Sequence, residues 1–447
     1  MDNNKLEIRT TQLLQYYTEE AKENLKMNRI MLNIKQNEKL KDLLFYAKEK
    51  SSWYKDKLKN IDIDKVTIEN MHQFIPIINK KEFTENWDAF CTDKDLSKKE
   101  IDTYLKLVNS KEDSQKFNMY RDKYHVISSS GSSGRPGIYV YTEEEWLKYC
   151  AQFSRLFDKN LKHLKIANLT VKSMLFASPR SSKTLLTGHR EYDLNEEYFG
   201  DVRKINERLT ALNPDIIITL PSILRKLIRE KELGNVDINP IYIKTSAEPL
   251  TRDLKEKAVK VFDNPMITNI YAGSEGFAAF TCAANPNKLH LAEDCCIFES
   301  SEGMLTITNL WLKTTPLIRY QLDDRIEIQS NGYCKKCVCC FRVIDEPQGR
   351  ASEEFIYDNI VITTLELTDE MNYYPCINEF QIEQTLNGMC IKIVGGNISD
   401  GDKIKKAMER NLRSKGIMNP IIKIRHVDTI ERSGSGKLKQ FVSLKKK

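Results

Sequence analysis

Two groups of residues in this 447-residue chain have types and spacings suited to chemistry. The first is Ser128-Ser-Ser-Gly131-Ser-Ser-Gly134-Arg-Pro-Gly137, which follows the apolar run His125-Val-Ile and precedes Ile138-Tyr-Val-Tyr-Thr142. Hydroxyls and backbone N–H groups that no bulky side chain shields can wrap the oxygens of a polyphosphate. No Gly-Lys-Ser/Thr follows, so this is not a Walker A loop. Taken alone, the segment also reads as a flexible Ser/Gly linker. The second group is sulfur. Of 11 cysteines, Cys282, Cys295, Cys296, Cys334, Cys337, Cys339 and Cys340 fall within one stretch of 59 residues. Cys334-x-x-Cys337-x-Cys339-Cys340 supplies the thiolate pair that structural zinc requires. Cys282 with His290 offers a second pair about 45 residues upstream, and four such ligands make a closed tetrahedral site. Buried reduced thiols acting as small apolar residues are the plainer alternative. A redox Cys-x-x-Cys is a weaker one, since no helix start follows Cys337 to lower a thiol pKa.

Composition bounds what these groups can serve. With 69 Lys+Arg against 63 Asp+Glu, a net charge of +6 and 40% hydrophobic residues, the chain reads as a soluble globular protein of two to four units. The basic excess is interleaved with acidic residues, as on ordinary solvated helix faces. No apolar run approaches the ~20 residues of a membrane span, and the N-terminus shows no secretion or lipidation signal. A cytoplasmic location with reduced thiols is therefore expected, because the cysteine total is odd. Nucleic-acid binding would need Lys and Arg concentrated around the sulfur cluster, where only Lys335, Lys336 and Arg342 occur.

The elements that must position these groups follow from periodicity. Residues 1 to about 60 show apolar positions at three-four spacing (Leu13, Leu14, Tyr17; Leu40, Leu43, Leu44, Ala47), which predicts a helical lead-in. From about 123 to 345, β-branched runs at 215–219, 240–244 and 265–271 alternate with amphipathic stretches, which predicts an α/β unit with a largely parallel sheet. Ser222 is the expected N-cap of one helix, and Leu233-Gly234 its end. A polar, Pro/Gly-containing linker follows at 345–353. Residues 354–447 then read as a small α+β unit: strands at 360–365, 377–383, 389–394 and 421–426, a helix at 402–415 and the tail Arg432-Ser-Gly-Ser-Gly-Lys437.

Ser128-Ser-Ser-Gly-Ser-Ser-Gly-Arg-Pro resembles the phosphate-binding loop of the adenylate-forming superfamily of acyl-CoA synthetases, peptide-synthetase adenylation domains and luciferases. Further segments match in order. Ser246-Ala-Glu-Pro-Leu250 is similar to the adenine-contacting segment and Tyr271-Ala-Gly-Ser-Glu275 to the Tyr-Gly-x-Thr/Ser-Glu motif. Pro316-Leu-Ile-Arg-Tyr-Gln-Leu-Asp-Asp324-Arg resembles Arg-Tyr-x-x-x-Asp, Gly349-Arg350 falls where the family hinges, and Ser435-Gly-Lys437 resembles the closing Ser-Gly-Lys. Thr308-Asn-Leu-Trp with Pro316-Leu-Ile-Arg-Tyr narrows the resemblance to the phenylacetate-CoA ligase-like branch. Lys80-Lys-Glu-Phe-Thr-Glu-Asn-Trp-Asp-Ala-Phe90 and Glu379-Phe-Gln-Ile-Glu-Gln384 look most like the coenzyme F390 synthetase-related proteins.

The resemblance implies a large AMP-binding domain at 1–346, a hinge at 347–353 and a mobile lid at 354–447. ATP would meet Ser129, Ser130, Gly131, Ser132, Ser133 and Gly134 at its phosphates, and Ser246, Ala247, Glu248, Tyr271, Ala272, Gly273 and Ser274 elsewhere. Glu275 would bind Mg²⁺, which prefers one or two carboxylates plus substrate phosphates. Asp324 would accept the ribose hydroxyls; Asp323 stands where many relatives have Gly. Arg319, Arg325 and Arg350 are candidates for phosphate or ribose, although an arginine beside two aspartates is as often a local ion pair. Lys437 would reach the carboxylate and α-phosphate only when the lid closes. Several phenylacetate-ligase-like proteins carry Cys-x-Cys-Gly near Cys337, with a Cys…His before it. Cys282, His290, Cys337 and Cys339 are therefore the expected zinc ligands, with Cys334 in reserve. After Gly349-Arg350 the chain lacks the family's usual Asp or Lys, which leaves Ser352 or Glu353 as pivot.

The implied activity is ATP-dependent activation of a carboxylic acid, favoured as an aryl acid, followed by transfer to coenzyme A or a separate carrier protein, by a monomer or homodimer. Phe176, Tyr271 and Phe277 suit an aromatic acid, and His189 and Arg190 could meet a polar substituent, although core and surface roles serve them equally. Adenylyl transfer to a hydroxyl of a cofactor or small molecule is the alternative reaction.

Overall fold

A computed structural model of the chain describes residues 3–108, 112–129, 136–156, 163–186, 192–198, 201–329, 332–374, 376–431 and 438–444. The lead-in is helical as its periodicity predicts, with helices Asn3–Asn24 and Arg29–Lys50. Asn28 caps the second by accepting from the Met31 N–H, and Leu32, Leu40, Leu43, Leu44 and Ala47 bury one face. Buried charge fastens this pair to the main body. Asn24 donates to Asp294 at 2.6 Å, Arg29 pairs with Glu293 at 2.7 Å, and Gln36 donates to the Glu293 carbonyl at 2.6 Å. Arg155 and Arg342 complete the neutralisation of Asp294 and Glu293.

The main body is built on an eight-stranded sheet in the spatial order Val343–Ile344, Asn285–Leu291, Gly276–Cys282, Met266–Gly273, Tyr242–Ser246, Ile216–Thr219, Ile166–Asn168, Leu194–Asn195. The five strands from Met266–Gly273 onward are parallel and the other three antiparallel, so the sheet is mixed. Helices Pro221–Glu232 and Arg252–Val261 cross over between parallel strands and bury Leu224, Leu227, Leu254 and Ala258. Ser222 is not the N-cap of the first of these. Pro221 starts the helix because its fixed φ suits the first position, so Ser222 sits one residue inside. Its N–H and hydroxyl both donate to the Glu248 carboxylate, at 2.8 and 2.9 Å, and an anion at a helix N-terminus is well placed. Leu233 caps the other end, with Gly234 at φ +75° beyond it.

Tyr124–Ser128 and Ile138–Thr142 form a hairpin around the Ser/Gly segment, and Cys296–Ser301, Met304–Asn309 and Tyr320–Arg325 make a three-stranded sheet. Residues from Phe355 onward have their own core around Phe355, Ile382, Ile391 and Met408. Their sheet order is Ile421–His426, Gly388–Gly395, Ile377–Thr385, Phe441–Val442. Two elements there differ from the sequence expectation. The strand at 360–365 stops at Ile362, because Thr363 and Glu366 form a capping box that opens the helix Thr364–Asn372. The later helix begins at Ile398, four residues early, on the capping box of Asn397 and Asp400. Large domain and small domain together define an α/β fold with a smaller C-terminal unit. No helix among the described residues is long and apolar enough to cross a membrane.

Candidate functional site

Between the two domains lies a cleft of about 1340 Å³, open at the C-terminal ends of the parallel strands. Glu275 occupies the turn from Met266–Gly273 into Gly276–Cys282. Two glycines let the chain close around it. A Cβ on Gly273 would lie 2.6 Å from Glu275 Oε2, and one on Gly276, at φ +155°, 2.8 Å from Asn309 Nδ2. Asn309 donates to the Glu275 carbonyl at 3.0 Å, Tyr141 to the Ser274 carbonyl at 2.6 Å and Tyr149 to the Gly273 carbonyl at 3.2 Å. Tyr139 donates to Glu275 Oε1 at 2.9 Å and shares a second 2.9 Å hydrogen bond with Tyr320. Burial, then the nearby Glu275 charge, pushes the Tyr139 phenol far up, so it remains a donor. The turn is thus aimed by tyrosines from the Ser/Gly hairpin and the helix after it.

Ser129, at the start of that segment, is described; Ser130, Gly131, Ser132, Ser133 and Gly134 lie outside the described residues. Ser129 Oγ accepts from the Gly137 N–H at 2.7 Å and from Lys80 Nζ at 3.2 Å. Burial lowers the Lys80 pKa, with Glu275 the first charge opposing that shift, so this ammonium stands beside both Ser129 and the acid. The strand Met266–Gly273 carries Tyr271, whose hydroxyl donates to Asp324 Oδ2 at 2.7 Å. Burial pushes the Asp324 carboxyl up against the pull of Arg350, which lines the cleft opposite. Asp323 is held differently, accepting from the N–H of Ser352 at 3.1 Å and from its hydroxyl. Ala247 takes φ +67°, rare for a residue with a side chain, as the chain turns from Ser246 to Glu248. Ala272 and Ser274 line the cleft as well, and so do Phe176 and Phe277.

Arg319 differs from the sequence expectation. It does not reach the cleft. It is buried with φ +50°, pairs with Glu299 at 3.0 Å and donates to the carbonyls of His72 and Ile75. Its neighbour Tyr320, the first residue of the strand, instead lines the cleft and meets Tyr139. Arg325 likewise pairs with Glu354. Lys437, His189 and Arg190 lie outside the described residues; Leu438 and Lys439, next along the chain from Lys437, line the cleft. At the domain junction Gly349 has φ +103°, and any Cβ there would overlap Thr364 Oγ1. The sequence reading missed Tyr139, Tyr141, Tyr149 and Lys80 as site residues. Only Lys80 had a local signal, its place in the Lys80-Lys-Glu-Phe segment.

Away from the cleft, Cys282, His290, Cys334 and Cys337 bring their ligand atoms within 4.8 Å of one another. Cys282 ends one strand, His290 lies on its hairpin partner, and Cys334 and Cys337 form a turn before Val343, which pairs with His290. The Cys282 sulfur is 3.7 Å from Cys334 and 3.9 Å from Cys337, and Cys337 is 3.3 Å from His290 Nε2. Zn–S and Zn–N bonds in a tetrahedron place sulfurs about 3.8 Å apart and S and N about 3.6 Å apart. His290 Nδ1 lies 3.0 Å from the Phe341 carbonyl, which orients the ring with Nε2 toward the thiols. The fourth position is Cys334, not the expected Cys339. Past the exposed Val338 the chain runs on against the main core, and Cys339 packs there.

No family model matches the sequence. Over 430 residues the chain is 22% identical to Protein CapK of Staphylococcus aureus, covering 90% of this chain and 87% of that protein. Among solved structures it resembles 2-hydroxyisobutyryl-CoA ligase in the postadenylation state with R3-HIB-AMP. The TM-score is 0.72 at 13% identity, over 94% of this chain and 91% of that one. Against the same ligase with 2-HIB-AMP and CoA in the thioesterification state the TM-score is 0.60, at 14% identity over 94% and 91%. With an anthranilate CoA ligase in complex with anthranoyl-AMP it is 0.51, at 12% identity over 71% of this chain and 65% of that one. The chain therefore has the fold of these CoA ligases.

Proposed function

We propose that the protein is an ATP- and Mg²⁺-dependent ligase that activates a carboxylic acid as its adenylate and passes the acyl group to a thiol. The carrying observation is convergence: Ser129, Lys80, Glu275, the Tyr271–Asp324 pair and Arg350 come from separate segments and line one cleft between the domains. In the first step a carboxylate oxygen attacks the α-phosphorus of ATP and pyrophosphate leaves. In the second a thiolate attacks the acyl carbon and AMP leaves. Catalysis of the first step is positioning and charge neutralisation. Lys80 and the Ser/Gly segment would meet the phosphates, Asp324 the ribose hydroxyls, and Ser246, Ala247 and Glu248 the base side.

Glu275 offers one carboxylate toward the phosphate side, which suits Mg²⁺, a cation held through few carboxylates plus phosphates; when bound it would neutralise charge on the triphosphate. Lys437, carried by the small domain next to Leu438, would neutralise the attacking carboxylate and α-phosphate, with 347–353 as the hinge. Phe176 and Phe277 favour an aryl acid, and coenzyme A is favoured as the thiol over a carrier protein by the ligase fold. Zinc at Cys282, His290, Cys334 and Cys337 would clamp three neighbouring strands without entering the reaction.

A pyrophosphate-exchange screen across aryl, aliphatic and amino acids tests the reading. Exchange dependent on an added acid is expected. Exchange that needs an added hydroxyl compound and no acid would instead assign adenylyl transfer to that hydroxyl.

A further inference from the structure

Glu346 stands at the root of the domain junction, lines the cleft and takes no part in the scheme above. Its carboxyl accepts from Asn269 Nδ2 at 2.8 Å and from the Leu250 N–H, and it faces Lys255 from the neighbouring helix; Asp345 beside it is paired with Lys288. Asn269 Oδ1 in turn accepts from Thr245 Oγ1 at 2.9 Å. With the amide nitrogen on Glu346, the remaining lone pairs of its carboxylate can present acceptor sites to the cleft. Two donors occupy two of the roughly four acceptor sites of a carboxylate. Asn269 lies two residues before Tyr271 on the same strand and face. At about 3.3 Å per residue, its backbone sits roughly 7 Å along the strand from that of Tyr271, which holds Asp324. That is about the reach from a ribose to the far edge of a purine.

We infer that Glu346 selects the base of the nucleotide, accepting a hydrogen bond from the exocyclic amino group of a 6-aminopurine and opposing a 6-carbonyl. The inference rests on the proposed nucleotide reading of the cleft, in which Tyr271 and Asp324 mark the ribose. A 6-carbonyl would bring an acceptor against an acceptor and leave both unpaired, the arrangement that buried sites reject most strongly.

The test is direct binding of ATP and of inosine triphosphate to the full chain with Mg²⁺, by calorimetry at pH 8. Burial pushes the Glu346 carboxyl up to about 7, so at pH 8 it is largely ionised. The wild-type protein should favour ATP by about 10- to 100-fold, and Glu346→Gln, which adds an N–H donor, should bring the ratio within about threefold. A folded Glu346→Gln protein that keeps the wild-type ratio overturns the inference. A second measurement needs no variant: N6,N6-dimethyl-ATP, which has no amino hydrogens, should bind the wild-type protein about 10-fold more weakly than ATP. Equal binding overturns the inference. Failure of the wild-type protein to bind ATP at all overturns the nucleotide reading and this inference with it.

Discussion

The sulfur cluster and the cleft are two sites on the same sheet, and they are built oppositely. The cluster gathers Cys282, His290, Cys334 and Cys337 from three adjacent strands and their turns, all on one domain, with ligand atoms within 4.8 Å of one another. The cleft draws Lys80, Ser129, Asp324, Glu275 and Lys439 from five separate segments on two domains, around about 1340 Å³ of open space. A closed set of four soft ligands suits an ion that stays. An open cleft with charges on two bodies suits a substrate that must enter, react and leave.

The comparison can be broken or sharpened experimentally. Lys437→Ala should lower acid-dependent pyrophosphate exchange by about 10³-fold or more while ATP binding changes little, since the role proposed for the lysine is on charge that develops during reaction. Exchange that survives the substitution would remove the second body from the chemistry. Glu275→Gln should cost about 10²-fold in exchange and raise the Mg²⁺ concentration needed for half-maximal rate. An unchanged Mg²⁺ requirement would refute the metal assignment.

At the sulfur cluster, protein prepared without added metal should contain about one equivalent of zinc. Cys334→Ser and Cys337→Ser should reduce it below about a tenth, and Cys339→Ser should leave it in place. Loss of zinc from Cys339→Ser with retention in Cys334→Ser would reverse the assignment of the fourth ligand. Arg319→Met should destabilise the fold by about 3 kcal/mol, read by denaturant unfolding, because Glu299 and two carbonyls lose their donor. ATP binding by that variant should stay within about twofold once it is folded.

The smallest effect concerns pH. The Glu346 carboxyl is raised from 4.5 to about 7 by burial, so its contribution to folding is fully present below pH 4.5 and lost as pH rises through 7. Glu346→Gln should therefore raise the melting temperature by about 2 °C at pH 8 and by less at pH 4.5. An equal shift at both values would show that the carboxyl does not titrate across that window.

Much of this protein was legible in its residues. Apolar spacing at Leu40, Leu43, Leu44 and Ala47 determined a buried helix face, because one turn repeats every 3.6 residues whatever the rest of the chain does. The β-branched runs determined the parallel strands, and Tyr271 to Glu275 and Asp324 stood out because each is a short contiguous motif. What stayed hidden depended on partners far along the chain. Tyr139 and Tyr141 read as ordinary strand residues, and only the fold brings them against Glu275 and Ser274, more than 130 positions away. Arg319 stood in the right motif but turned toward Glu299, since it sits just before the strand Tyr320–Arg325 in a left-handed turn at φ +50°. Cys334 and Cys339 were equivalent in composition, and the turn at Val338 separated them. Sequence by itself determined the elements and the chemical types available to the site, because propensity, periodicity and capping act over a few residues. Tertiary structure alone decided which of those groups face one another, because hydrogen bonds and ligand geometry depend on distances that no local pattern encodes.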